Sequence, residues 1–395
     1  MPSQNRPIWA YSLPSALLLM APFDILASLA MDIYLPVVPE MPGALGTSAS
    51  VIQLTLSLYM ITLGLGQVVF GPISDRIGRR PVLIGGGLLF AAASMALADT
   101  SIATAFVVLR VAQAMGASAV LVATFATVRD VYAERPEGTV IYGLFSSMLA
   151  FVPALGPVAG ALIAGGFGWR SIFVTLCILA MMATLNAWLR WHETRPLNSS
   201  GPWPVFGPVL SSFAFWTYTL GFAAAMGTFF VFFSTAPRVL IGRAGFTPTG
   251  FSLAFATVAL VMIATTRLAR PFIARWGTAG SLARGMAMLL LGAAMLAVAQ
   301  LFAAPSFATF VLPMWVMAVG IVLAGSVTAN GALEAFGDMA GTAVALYFCV
   351  QSLIVGIAGT AFVVLLDGDT AWPLAGFATV LAATTLCALR RLPRR

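Results

Sequence analysis

Charge is what this chain has least of. Of its 395 residues, 8% are Asp, Glu, Lys or Arg and 60% are hydrophobic. So little charge cannot cover a soluble globule, which excludes that class. Lysine is missing, and all 20 basic residues are arginine. Histidine occurs once, as His192 beside Trp191 and Glu193, with no second histidine to share a metal. Cys177, Cys349 and Cys387 lie inside apolar runs without metal-ligand spacing and read as packing residues. A membrane enzyme would need a nucleophile with a base, or metal ligands, and no such pairing is seen; no cofactor or metal is expected. A channel would need a filter segment or a charged ring, and neither appears. No small-residue cleavage site follows the first apolar run, so no removable signal peptide is expected. Period-2 alternation is also lacking, which excludes barrel strands.

What the sequence has is apolar run length. Twelve runs of about 20 residues, each enough to span a bilayer as a helix, fall near 13–36, 50–72, 81–98, 102–126, 140–164, 169–190, 212–236, 249–268, 282–303, 306–331, 339–366 and 371–389. The expected fold is therefore an all-α membrane protein with twelve transmembrane helices. Between the third and fourth runs, LADTSIAT supplies a Ser/Thr helix start. The net charge of +7 would suit nucleic acid, but the arginines sit in short loops between the runs, so no nucleic-acid partner is expected. Topology accounts for them. With a cytoplasmic N-terminus, 16 arginines fall on the cytoplasmic side and only Arg170, Arg238 and Arg243 opposite. Both termini are expected in the cytoplasm.

The one sizeable polar joint is LRWHETRPLNSSGPWPVFGP, residues 189–208, rich in Pro, Gly and Ser. It divides the chain into a six-helix half (1–190), a cytoplasmic linker (191–211) and a second six-helix half (212–395). An echo supports the division: GPISDRIG (71–78) and RPFIARWG (270–277) share Pro72/Pro271, Arg76/Arg275 and Gly78/Gly277, each 199 residues apart.

GPISDRIGRR, residues 71–80, is the strongest local signal. Gly71 and Gly78 let the chain turn, Asp75 can bond helix amides or an arginine, and Arg76, Arg79 and Arg80 sit at the interface. The spacing G-x-x-x-D-R-x-G-R-R resembles the signature loop of the major facilitator superfamily. That resemblance implies a gating role in which the charges clasp the two halves. LRVAQAMGAS (109–118) is similar to the fourth-helix motif of proton-coupled members, through Arg110 and Gln113; Ala114 departs from the usual glycine. PALGPVAGAL (153–162) resembles the fifth-helix antiporter motif, through Pro153, Gly156, Pro157 and Gly160. Physically, its small residues permit close helix contact, and proline frees a carbonyl and lets the helix bend.

A narrower resemblance spans essentially the whole chain. MAPFDILASLAMDIYLPVVP, LVATFATVRDVY, IYGLFSSMLAFVPALGP, GTFFVFFSTAPRVL and NGALEAF look like the chloramphenicol and florfenicol exporters of the drug:proton antiporter family. The resemblance implies efflux of phenicol antibiotics across the bacterial inner membrane, conferring resistance and driven by the proton gradient. The superfamily motifs do not encode the substrate, so a broad multidrug or metabolite exporter is the alternative.

Three charges lie inside the runs and clear of their last few residues: Asp24, Asp32 and Arg110. A mid-membrane charge costs several kcal/mol unless paired or wetted. The aspartates differ by about 80° around a helix and about 12 Å along it, so one cavity-facing side holds both. Arg110 lies nearer in depth to Asp32. The plain alternative is a static ion pair. The functional reading has a desolvated aspartate take a proton from outside and release it inside as its exposure changes, with Arg110 and Gln113 poising the exchange. Asp32 is expected as the paired member and Asp24 as the titrating one. A cavity for a small neutral drug needs aromatic and Met surfaces with a few polar groups. The candidates are Tyr34, Tyr59, Met148, Phe151, Phe229, Phe233, Asn330, Tyr347 and Gln351. Expected partners are the drug, protons and the lipid bilayer. Nothing requires more than a monomer.

Overall fold

The computed structural model describes residues 9, 11–132, 136–195, 206–336 and 339–392, and of 136–140, 142–150 and 340 the backbone alone. Among the described residues, 11 helices are long and apolar enough to cross a membrane. They are α1 (Leu13–Asp32), α2 (Ala49–Ile77), α3 (Arg79–Asp99), α4 (Ala103–Tyr132), α6 (Arg170–Arg190), α7 (Phe213–Pro237), α8 (Pro248–Leu268), α9 (Arg270–Phe302), α10 (Leu312–Leu333), α11 (Ala340–Ile354, continued through Leu365) and α12 (Trp372–Arg391). The continuous 32-residue helix α5 (Pro136–Phe167) supplies the twelfth crossing. The all-α, twelve-helix expectation holds.

Helix starts follow the local chemistry. Ser48, Ser212 and Thr247 each accept the backbone N–H three residues on, satisfying a donor the helix cannot. Thr100 does similar work before α4, accepting from the Ile102 amide at 3.2 Å. Several helices depart from the apolar runs. Helix α1 stops at Asp32 and gives way to a 3-10 turn, Leu35–Val37, because Pro36 disfavours helical backbone before it and lacks an N–H. Helix α9 starts at Arg270, before its apolar run, and kinks at Gly277. The eleventh crossing contains a π-helical turn, Val355–Gly359.

In the first half α1 packs on α4, α5 and α6, while α3 packs on α4 and α6 and α2 on α4. In the second, α7 packs on α10 and α12, and α9 on the same two. The halves meet along α2–α11 and α5–α8. Among the described residues, three polar contacts join them toward the face that carries the α1–α2 loop. Gln53 Nε2 donates to Ser234 Oγ at 3.1 Å, Ser252 Oγ donates to the Pro157 carbonyl at 3.0 Å, and the hydroxyls of Ser57 and Thr360 meet. At the other face, the echoed glycines share a conformation. Gly78 has φ 110° and ψ 158°, and Gly277 has φ 67° and ψ −178°, a region side chains avoid.

Candidate functional site

Arg110, on α4, is fully buried. Its Nη1 donates to the Ala30 carbonyl at 3.0 Å and to Gln113 Oε1 at 2.5 Å. Gln113 Nε2 donates to Ser94 Oγ at 2.8 Å, and Ser94 Oγ donates to the Phe90 carbonyl at 2.7 Å. The guanidinium therefore heads a hydrogen-bond chain from α1 through α4 to α3. Two aromatic rings flank it, Tyr34 at 4.7 Å and Tyr59 at 4.5 Å from Cζ to centroid. Among the described residues no carboxylate lies within 4.0 Å of the guanidinium. The static ion pair, and the pairing of Asp32 with Arg110, are absent from this conformation; aromatic faces and neutral acceptors stand where a carboxylate was expected.

Asp24 and Asp32 are both buried on α1. Both oxygens of Asp24 lack a hydrogen-bond partner among the described residues, as do Nε and Nη2 of Arg110. An ionised carboxylate without donors is among the most costly groups to hold in hydrocarbon. Asp32 meets the antiporter-like stretch of α5. A Cβ placed on Gly156 would lie 2.9 Å from the Asp32 Cβ, and one on Gly160 would run into the Ile33 carbonyl. Pro157 leaves its carbonyl to Ser252 of α8, and Pro153 is half-buried one turn earlier. These small residues thus let α5 close on the end of α1 that carries Asp32.

The candidate drug contacts that the structure describes each have partners or settings of their own. Tyr34 and Tyr59 are committed to Arg110. Phe229 and Phe233 pack against Phe255 of α8, with centroids 6.0 and 6.2 Å apart. Tyr347 stacks on Phe222 at 4.9 Å and donates its hydroxyl to Thr328 Oγ1 at 2.9 Å. Gln351 is buried beside Ser352, while Asn330 and Phe151 are exposed. The Met148 side chain lies outside the described residues. A cavity of about 240 Å³ opens at the α1–α2 face between Pro39, Pro42, Gln53, Arg238, Arg243 and Asp369, and it touches none of these candidates.

In the charged loop, Arg79 is buried and bonds Asp75 at 2.5 Å, Asp130 at 2.8 Å and Ser74 Oγ at 2.9 Å. These partners come from α2 and α4 of the same half. Glu193 accepts the backbone amides of Arg79 at 2.8 Å and Arg80 at 3.1 Å, at the start of α3. Gly71 and Asp75 are half-buried and Arg76 is exposed; Arg80 Nη2 donates to the Trp188 carbonyl at 2.7 Å. Sequence reasoning missed Asp130 and Glu193, although each is an acid at the polar end of an apolar run.

The model of the Major Facilitator Superfamily matches residues 23–360. The chain is 50% identical to a Pseudomonas aeruginosa protein named "Chloramphenicol resistance protein", over 96% of this chain and 90% of that one. It is 26% identical to "Multidrug resistance protein MdtL" of Shewanella oneidensis, covering 83% and 84%. A crystal structure of a D-xylose-proton symporter superposes with a TM-score of 0.77 at 17% identity, covering 95% and 97%, and shares the fold.

Proposed function

The chain belongs to the major facilitator superfamily, and from that premise we propose that it exports phenicol antibiotics across a bacterial inner membrane in exchange for protons. It is a transporter, not an enzyme. The observation that carries the phenicol reading is the 50% identity, over nearly the whole chain, to a protein named for chloramphenicol resistance. Proton exchange rests on the interior of the first half, where, among the described residues, both Asp24 oxygens are buried without a hydrogen-bond partner and buried Arg110 has no carboxylate within ion-pair distance.

In this reading the halves, 1–190 and 212–395, rock about the linker 191–211, with both termini in the cytoplasm. Asp24 and Asp32 carry the exchanged proton, and Arg110 with Gln113 sets when it is released. The charged loop, Gly71 to Arg80, shapes the cytoplasmic corner. A monomer suffices, with the proton gradient in place of a cofactor. Because one proton exchanged for a neutral drug moves net charge, export responds to membrane potential as well as pH.

The test is drug susceptibility in a pump-deficient bacterium expressing the chain and its Asp24→Asn and Asp32→Asn variants. The intact chain should raise chloramphenicol resistance, and florfenicol resistance with it. At least one variant should abolish gradient-driven export. Unchanged susceptibility with the intact chain removes the phenicol reading; gradient-driven export in both variants removes the coupling. The likeness to MdtL favours a second reading, a broader multidrug exporter, which resistance to unrelated drugs would support.

A further inference from the structure

We infer that Tyr34 and Tyr59 are positioning residues: they clamp the Arg110 guanidinium between two ring faces, so that it is held in place in this conformation without a carboxylate partner among the described residues. The inference rests on the proton-coupled reading and moves these residues from drug contact to coupling.

Both rings are completely buried and come from different segments, Tyr34 from just beyond α1 and Tyr59 from α2. Their hydroxyls are tied crosswise. Thr55 Oγ1 donates to the Ile52 carbonyl at 2.7 Å, so the 2.8 Å contact between Tyr34 and Thr55 has the tyrosine as donor. Tyr59 donates to the Ala27 carbonyl at 2.8 Å. Thus the α1 segment's tyrosine is fixed to α2, and α2's tyrosine to α1. Each tie sets the tilt of a ring against the cation, and the electron-rich face of an aromatic ring attracts a desolvated guanidinium.

The rest of the surroundings agree. Nη1 is occupied by Ala30 and Gln113, whereas Nε and Nη2 have no partner among the described residues. Among the described residues, the titratable groups against Arg110 are Tyr34 and Tyr59, and Asp24 and Asp32 are buried on α1, which packs on α4. The other charges of α2, α3, α4 and α6, namely Asp75, Arg76, Arg79, Arg80, Asp99, Arg129, Asp130, Arg170 and Arg190, lie in terminal turns. Held between the rings, Arg110 is kept off both aspartates, which remain open to the proton. A shift of α1 along α2 pulls at both crosswise ties, and opening the clamp presents the two unpartnered nitrogens, Nε and Nη2, to a carboxylate. A cation delivered there favours the ionised form and expels the proton.

The experiment compares Tyr→Phe and Tyr→Leu at positions 34 and 59 in proteoliposomes exporting chloramphenicol across a pH range. Phe keeps the ring face and loses only the hydroxyl tie, so its pH profile should move in the same direction as that of Leu but less than half as far. Leu frees the guanidinium onto the carboxylates, so export should need a more acidic exterior, by about one pH unit. Labelled chloramphenicol binding should change less than about threefold, because both ring faces are taken up by Arg110. Leu variants with the wild-type pH profile overturn the inference. So does a loss of drug binding in both substitutions, which would make the tyrosines contacts.

If the Leu variants do not fold, progressively fluorinated phenylalanines at position 59 weaken the ring face at nearly constant shape. A graded shift of the profile supports the clamp and a flat response overturns it. A wild-type chain that exports no chloramphenicol sinks the phenicol reading alone. The clamp is then read without drug, from the infrared band of protonated carboxyls titrated in the purified protein. The fluorinated series should displace that band's pH midpoint stepwise, and an unmoved midpoint overturns the clamp.

Discussion

Gly160 has no room for a single additional carbon. A Cβ there meets the backbone carbonyl of Ile33, which cannot swing aside as a side chain would. Gly160→Ala must therefore push α5 away from the end of α1, and overpacking of this kind costs about 1–3 kcal/mol. The expected outcome is a lower thermal midpoint in detergent together with weaker export, since the displaced contact holds Asp32. A fully active Gly160→Ala variant of unchanged midpoint would mean that α1 and α5 need no such approach. At this scale the sequence was readable where a residue was anomalous in its run. Asp24, Asp32 and Arg110 stood out as charges in hydrocarbon, and the glycines as gaps in bulk. Nothing in the sequence showed that Tyr34 and Tyr59 would enclose Arg110, because that depends on the rotation of α1 and α2 against α4. Ordinary aromatic residues of a membrane helix look alike until their neighbours are known.

Helix α3 begins with no side-chain cap from its own N-cap residue, Gly78. The exposed amides are taken by Glu193, which arrives from the far end of α6 and also accepts the amides of Thr194 at 3.0 Å and Arg195 at 2.9 Å. A carboxylate at a helix N-terminus satisfies donors and opposes the positive end of the dipole. Glu193→Ala should destabilise the first half by about 1 kcal/mol or somewhat more, read as a fall in thermal midpoint, and Glu193→Gln by less. If Glu193→Ala leaves the midpoint unmoved, the cap contributes nothing. The elements themselves were legible because span length is a one-dimensional property. Their ends were less so: Pro36 cut α1 short, and α9 gained a polar first segment that no hydrophobic count includes. The cap was hidden for a different reason. Glu193 and Arg79 are 114 residues apart, and Arg79 and Asp130 are 51 apart, so their pairing is a product of folding rather than of local pattern.

Across the whole molecule, the polar contacts that join the halves near the α1–α2 face are neutral: an amide to a hydroxyl, a hydroxyl to a carbonyl, and two hydroxyls together. A disulfide in place of the Ser57–Thr360 contact would make that closure covalent. In a chain lacking Cys177, Cys349 and Cys387, Ser57→Cys with Thr360→Cys should oxidise readily and stop export, with recovery on reduction. Undiminished export by the bridged protein would show that the halves do not part there. The neutral character of these bonds has a further consequence for the energetics of the resting carrier. A net hydrogen bond contributes about 0.5–1.5 kcal/mol, so three give only a few kcal/mol of polar cohesion. Swinging a two-state balance from one extreme to the other takes about 5.5 kcal/mol. A seal of that strength lies within reach of the binding energy of one small molecule. It is also weak enough that thermal motion would part these bonds in an empty carrier, so under the proton-exchange proposal a barrier to proton leak in the idle carrier falls to the apolar packing of the halves and to the carboxyls rather than to these three bonds.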